Sequence, residues 1–230
     1  MTAIPTVFVV DADVAARESM QRLVEGAGWQ PRTFGSAREF LAHPRVIAPS
    51  CLVLDVALPG LNGLELQKMV ADRIDMPVLF FTGCGDVGLS VQAMKAGALE
   101  FLPKSSPPDV LVTAIGAALA HSQACLAHAA QLKALRESYA SLSRREQEVM
   151  ALVASGLLNK QVGFELGISE ITVKAHRGQV MRKMQADSLA GLVKMAARLG
   201  LPSGRLALPF APLAEPGRSY APPASGMLVA

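Results

Sequence analysis

The sequence predicts an α/β doubly wound (βα)5 domain followed by an all-α domain of four helices. Three observations lead there. The first half alternates short β-rich runs with helical stretches, whereas the second half carries helical periodicity alone. Charge divides along the same line: residues 1–125 hold nine basic against twelve acidic side chains, residues 141–200 hold nine against five, and the overall +3 averages over opposite halves. A length of 230 residues lies between one domain and two.

The runs VFVV (7–10), CLVLDV (51–56) and PVLFFT (77–82) are nearly continuous in apolar residues, as strands buried on both faces of a parallel sheet must be. Weaker strands fit at Gln30–Thr33 and Leu99–Leu102. Between them lie helical stretches such as AARESMQRLVEGAG, where Met20, Leu23 and Val24 share a face and a glycine ends the run. Five β/α units result. From Asp109 a proline-free segment predicts one long helix to about Tyr139, serving as the last helix of the first domain and as a semi-rigid linker. The organisation expected is a first domain over 1–122, a helical linker over 123–140, a second domain over 141–200, and a disordered tail over 201–230 that holds six prolines.

Composition narrows the function classes. At 51% hydrophobic and 18% charged, the chain is neither collagenous nor disordered as a whole. Its longest apolar stretch, Val110–Ala120, contains Thr113 and Gly116 and falls short of the roughly 20 residues that span a bilayer, so no membrane segment is expected. The start, MTAIPTVFVVDAD, has no basic n-region and meets an aspartate early, which predicts no signal peptide and a cytoplasmic protein. Cys51, Cys84 and Cys125 show no C-x-x-C pair and no histidine read as lying at ligand spacing; buried small hydrophobes are expected, with neither zinc nor disulfides.

Chemistry in an open parallel sheet gathers at the carboxyl ends of the strands. There the sequence places Asp11 and Asp13 after the first strand, Asp55 after the third, Thr82 and Gly83 after the fourth, and Lys104 after the fifth. Carboxylates beside a hydroxyl and a lysine suit a hard divalent cation and a phosphoryl group. Taken in order, VVDAD, LVLDVALPGLNG, FFTGCGD and AMKAGALEFLPK resemble the receiver domain of two-component response regulators. The resemblance implies Asp55 as phosphoacceptor, Asp11, Asp55 and the Ala57 carbonyl as Mg²⁺ ligands, Thr82 as switch hydroxyl, Phe101 as the aromatic that turns with it, and Lys104 on the phosphate side. It also implies a sensor histidine kinase as phosphoryl donor.

Two positions depart from the receiver pattern. Ala12 stands where a second acid is usual, which should weaken Mg²⁺ binding or abolish it, and Ser105 follows Lys104 where proline is usual. They motivate a second reading, a receiver that works without phosphorylation. A third, of another class, takes Asp11-Ala12-Asp13 as the D-x-D nucleophile of haloacid dehalogenase-like phosphatases, but Ala15 replaces the expected Thr or Val and no later acidic metal pair is found.

In the second half Ser143 and Glu146 form a capping box ahead of a helix that ends at Gly156; NKQVGFEL runs to Gly167, and a helix capped by Ser169 follows a short turn. The last of these puts Val173, Val180 and Met184 on one face, and Ile171, Lys174, Ala175, Gly178 and Arg182 on the other, free to enter a major groove. Lys174 suits guanine, Ala175 and Gly178 allow close approach, and Arg182, Lys160 and Thr172 suit phosphates; His176 falls nearer the core. The stretch LSRREQEVMALVASGLLNKQVGFELGISEITVKAHRGQVMRKMQADSLAGLVKMA resembles the LuxR-type helix-turn-helix, which implies double-stranded DNA as partner and a homodimer through Leu189–Leu199. Both halves together resemble the FixJ/NarL group, on the FixJ side by TGCGD and AMKAGA. The function implied is a transcription regulator, not an enzyme, in which phosphorylation of Asp55 shifts dimerisation and DNA binding.

Overall fold

The computed structural model describes residues 4–83 and 86–201, which fall into two compact units divided between Ala134 and Leu135. In the first unit five strands, β1 (Thr6–Val10), β2 (Gln30–Phe34), β3 (Ser50–Leu54), β4 (Val78–Thr82) and β5 (Glu100–Pro103), form one parallel sheet in the order β2-β1-β3-β4-β5. Four helices connect them: α1 (Val14–Gly26), α2 (Ala37–Ala42), α3 (Gly63–Met69) and α4 (Val87–Lys95).

The apolar runs are continuous because both sheet faces are covered. Phe8, Val10, Leu52, Leu54 and Phe80 enter one core, and Val7, Val9, Cys51, Val53 and Leu79 enter the other, as the two-residue period of a strand requires. The final strand lies one residue later than expected, because its register pairs Leu79 with Glu100 and Thr82 with Pro103. Cys51 is fully buried, and burial pushes its thiol up to about 12, so it acts as a small hydrophobe. Cys125 departs from that expectation: it is half-buried, with its Sγ 3.5 Å from His121 Nε2 one helical turn away. The two lie four residues apart, the spacing that puts side chains on one face of a helix. Among the described residues, no group of three or more His, Cys, Asp or Glu comes together to hold a metal. Cys84, and the tail beyond Leu201, lie outside the described residues.

The long helix α5 (Pro108–Ala140) has the expected extent. Leu111, Ile115, Ala118 and Leu119 enter the first core, where Ser122 also accepts a hydrogen bond from the Ser50 amide (2.9 Å) and donates one to the Asp75 carbonyl (2.5 Å). Leu135 belongs to the core of the second unit. By length and composition α5 could cross a membrane, with a mean hydropathy of 1.6 over 18 residues, because alanines extend its apolarity past the polar break at His121–Gln123. The stretch 120–134 between its two core-anchored ends is nevertheless shorter than the roughly 20 residues a span needs.

The second unit holds α6 (Arg144–Ala154), α7 (Asn159–Leu166), α8 (Glu170–Lys183) and α9 (Leu189–Arg198) around Val149, Met150, Val162, Val173, Val180 and Leu192. Gly167, at φ 64°, ends α7 in the left-handed conformation that opens the turn. A Cβ on Gly163 would lie 2.7 Å from the Ile168 carbonyl oxygen, so only glycine lets the chain return this closely. The Glu146 carboxylate accepts from the Ser143 amide (2.7 Å), completing the α6 capping box, and from Lys183 Nζ on α8 (2.7 Å). The Lys183 hydrogen bond, and then the Ser143 amide, hold its carboxyl below the usual range.

A depressed carboxyl contributes stability above its unfolded pKa and loses it as pH falls through the folded one. Glu146→Gln should therefore destabilise this unit by about 1–3 kcal/mol at neutral pH, with the gap to wild type closing on acidification. Hydrogen exchange of α6 and α8 amides in the full chain measures both.

Candidate functional site

Three strands of the first unit deliver charged side chains to one edge of the sheet. Asp11 follows β1 and is 5% exposed, Asp55 follows β3 and is 7% exposed, and Lys104 follows β5. Burying two carboxylates without a counter-charge would be costly, and Lys104 supplies one: its Nζ lies 2.6 Å from Asp11 Oδ2 and 2.8 Å from Asp55 Oδ2. Burial alone would push Asp55 up, but hydrogen bonds donated by Lys104, Thr82 and the Ala57 amide, together with the lysine charge, hold it below its ordinary value. Burial likewise opposes the Lys104 charge, and Asp11 and Asp55 overcome it and hold its pKa up. Asp55 is thus an anion at neutral pH whose one fixed cation can also meet an incoming phosphate.

Thr82, at the end of β4, is fully buried with its hydroxyl on Asp55, and its carbonyl accepts from the Lys104 amide at 2.9 Å. Phe101 on β5 is half-buried, its ring 5.8 Å from that of Phe80. The structure brings Asp11, Asp55, Thr82 and Lys104 together, with the exposed Ala57 beside them. A cavity of about 560 Å³ opens next to Asp55 between α1 and the start of α5, floored by Val9, Val53 and Phe81.

Asp13 is not among these groups. Its carboxylate accepts from the Ala15 amide at 3.0 Å and caps α1, so it neither replaces the acid missing at Ala12 nor serves as the second acid of a D-x-D phosphatase pair. A hard cation such as Mg²⁺ takes carboxylate and carbonyl oxygens. Asp11, Asp55 and the Ala57 carbonyl are hard oxygen donors of this kind, one carboxylate short because Ala12 carries no oxygen.

Two residues of the site went unread in the sequence. Arg17 on α1 donates from one guanidinium nitrogen to the carbonyls of Asp11 (2.7 Å) and Ala12 (3.0 Å), fixing the loop after β1; no signal in the sequence points to it. Gly63 opens α3 against the Asp55 backbone, where a Cβ would lie 2.3 Å from the Asp55 carbonyl oxygen. The second glycine of LPGLNG was the available signal.

In the second unit Ile171, Lys174, Ala175, Gly178 and Arg182 are exposed along one face of α8, and Val173, Val180 and Met184 are buried on the other, as the helical period requires. Lys174 pairs with Glu170 at 3.0 Å, and Arg182 with Gln179. The Thr172 hydroxyl is bound to Ser169 Oγ at 2.8 Å as part of the α8 cap. Lys160 is exposed at the start of α7, His176 is half-buried, and Arg177 reaches back to Asn159 at 3.2 Å, tying α8 to α7.

Comparison with known proteins matches both units. Residues 7–116 match the response regulator receiver domain family, and residues 140–196 match the bacterial regulatory proteins of the luxR family. The chain is 46% identical over 196 residues to nodulation protein W of Bradyrhizobium diazoefficiens, covering 85% of this chain and 86% of that protein. It is 40% identical over 202 residues to the transcriptional regulatory protein FixJ of the same organism, covering 87% and 98%. Among solved structures it is similar to the response regulator StyR, with a TM-score of 0.76, 43% identity, and 85% and 100% of the two chains covered.

Replacing Lys104 with methionine leaves Asp11 and Asp55 buried without their cation. The Asp55 carboxyl should then titrate above its ordinary range instead of below it, read from the pH dependence of its carboxyl carbon resonance. Gly63→Ala should cost about 1–3 kcal/mol in thermal unfolding through the clash with the Asp55 carbonyl.

Proposed function

Because the chain belongs to the two-component response regulators that join a receiver to a luxR-family DNA-binding domain, and so regulates transcription and is not an enzyme, we propose that Asp55 is its phosphoacceptor and α8 its DNA-reading helix. The observation that carries the first assignment is a buried carboxylate at the end of β3, held anionic, with Lys104 at 2.8 Å and the Thr82 hydroxyl on it. A receiver implies a histidine kinase, and a luxR-type domain implies DNA. Proteins of this class are typically cytoplasmic, and we place this one there. We assign residues 1–122 to the receiver, 123–140 to the linker, 141–200 to the DNA-binding domain and 201–230 to a tail.

In the reaction proposed, an Asp55 carboxylate oxygen attacks the phosphorus of the kinase phosphohistidine; the O–P bond forms, the N–P bond breaks, and the imidazole nitrogen leaves. Asp11, Asp55 and the Ala57 carbonyl would hold Mg²⁺, which neutralises phosphoryl charge when bound, and the missing acid at Ala12 lowers the affinity. Lys104 exchanges its hydrogen bond with the carboxylate for one with the new phosphoryl oxygens. The Thr82 hydroxyl follows the same oxygens, and Phe101 moves into the space it leaves. The resulting shift of the face formed by α4 and α5 biases a monomer–dimer equilibrium. A homodimer, with α9 contributing Leu189 and its exposed neighbours, presents two α8 helices to half-sites about one helical turn apart.

On DNA, Lys174 donates to a guanine edge while Ala175 and Gly178 let the helix backbone approach. Lys160, Thr172 and Arg182 contact phosphates, Thr172 through whatever capacity its hydroxyl retains beside Ser169.

Incubation with acetyl phosphate and Mg²⁺ should label wild type and not Asp55→Asn on a phosphate-affinity gel. A label that is absent, or independent of Asp55, overturns the assignment in favour of a receiver that works without phosphorylation. Ala12→Asp should tighten Mg²⁺ binding at least tenfold in calorimetric titration. Lys160→Ala should weaken binding to all DNA sequences alike and lower the salt slope by about one, whereas Lys174→Ala should relax base preference.

A further inference from the structure

The first turn of α8 carries a side chain whose exposure its own domain does not explain. Ile171 is 81% exposed, one of the most exposed large apolar residues described in the chain. It belongs to none of the core clusters, whereas Val173, two residues on, is fully buried. At ~100° per residue, Ile171 lies in the middle of the outward arc, with Lys174 to one side, Ala175 to the other, and Gly178 and Arg182 below it on the same line.

The polar groups of that turn are engaged elsewhere. Glu170 is paired with Lys174, and Thr172 is bound to the Ser169 cap. What the N-terminal turn offers outward at its centre is therefore a rigid apolar surface: the β-branched Ile171 side chain has little rotamer freedom to lose in a helix. A Cβ on Gly178 would meet nothing within 4 Å, so among the described residues no side chain crowds this position two turns further along.

The N-terminal residues of a reading helix are the ones that meet base edges, and the apolar group a base pair presents in the major groove is the thymine C5-methyl. Methyl against isoleucine releases water from both, whereas an isoleucine against the donors and acceptors of the other bases would strip them of water without replacing their hydrogen bonds. We infer that Ile171 is a specificity-determining residue that reads a thymine methyl group in each half-site, beside the base contacted by Lys174. The inference rests on α8 being the DNA-reading helix and adds to that reading a base identity.

The test begins with full-length protein selecting its preferred sites from a random duplex pool. Each thymidine of the selected site is then replaced singly by deoxyuridine, which removes the methyl and keeps the base pair. Wild type should bind about fourfold more weakly when one particular thymidine per half-site is replaced, the value expected for one methyl no longer buried. Ile171→Ala should bind the thymidine and deoxyuridine duplexes alike, and Ile171→Val should keep most of the difference. Being exposed, neither substitution touches the core. A flat deoxyuridine scan with wild type, or a difference that persists in Ile171→Ala, overturns the inference. Lys174→Ala, taken through the same selection, separates the two levels. If it relaxes base preference while the scan is flat, only the role of Ile171 fails; if it too changes nothing, α8 is not the reader and both readings fall.

Discussion

Two buried carboxylates that share one lysine at the carboxyl end of a parallel sheet set the terms for the first unit. Asp11 and Asp55 come from adjacent strands, and Lys104 between them supplies the charge that offsets their burial. The lysine arrives from β5, which pairs with neither β1 nor β3, so the ion triad closes only when the order β2-β1-β3-β4-β5 has formed. Thr82 and the Ala57 amide add hydrogen bonds to the same carboxylate, and Gly63 gives way so that its carbonyl can sit against α3. A group that binds Asp55 must compete for Lys104, which lies 2.8 Å from its carboxylate.

The substitution at Ala12 takes on its meaning from this arrangement. With one acid fewer, a single lysine balances the remaining pair, and Arg17 grips the backbone on either side of the gap through the carbonyls of Asp11 and Ala12. Asp13, the neighbour in sequence, spends its carboxylate on the cap of α1. The pocket is therefore ordered by its own side chains, with a smaller set of oxygens for a cation than the receiver pattern provides.

The second unit solves a different problem: holding a helix firmly while keeping one of its faces free. Val173, Val180 and Met184 anchor α8, Arg177 ties it to Asn159, and Lys183 bonds to the Glu146 that caps α6. Every one of these contacts lies on the inward side. The outward side is left with small, basic and apolar residues together, and the placement of Ile171 at the centre of that arc is as much a property of the scaffold as of the residue.

The sequence by itself determined the elements and their kinds. Continuous apolar runs require strands covered on both faces, the capping residues Ser143 and Ser169 mark their helix starts, and Gly167 ends α7, because these are local constraints on the backbone and on solvent contact. The ordered motifs also sufficed to locate Asp11, Asp55, Thr82 and Lys104. Tertiary structure alone decided which partner each polar group takes. Nothing local brings Arg17 to the carbonyls before it, sets Gly63 under Asp55, or draws Lys104 to both Asp11 and Asp55. Such pairings depend on the direction of side chains in three dimensions, and a linear pattern records only spacing.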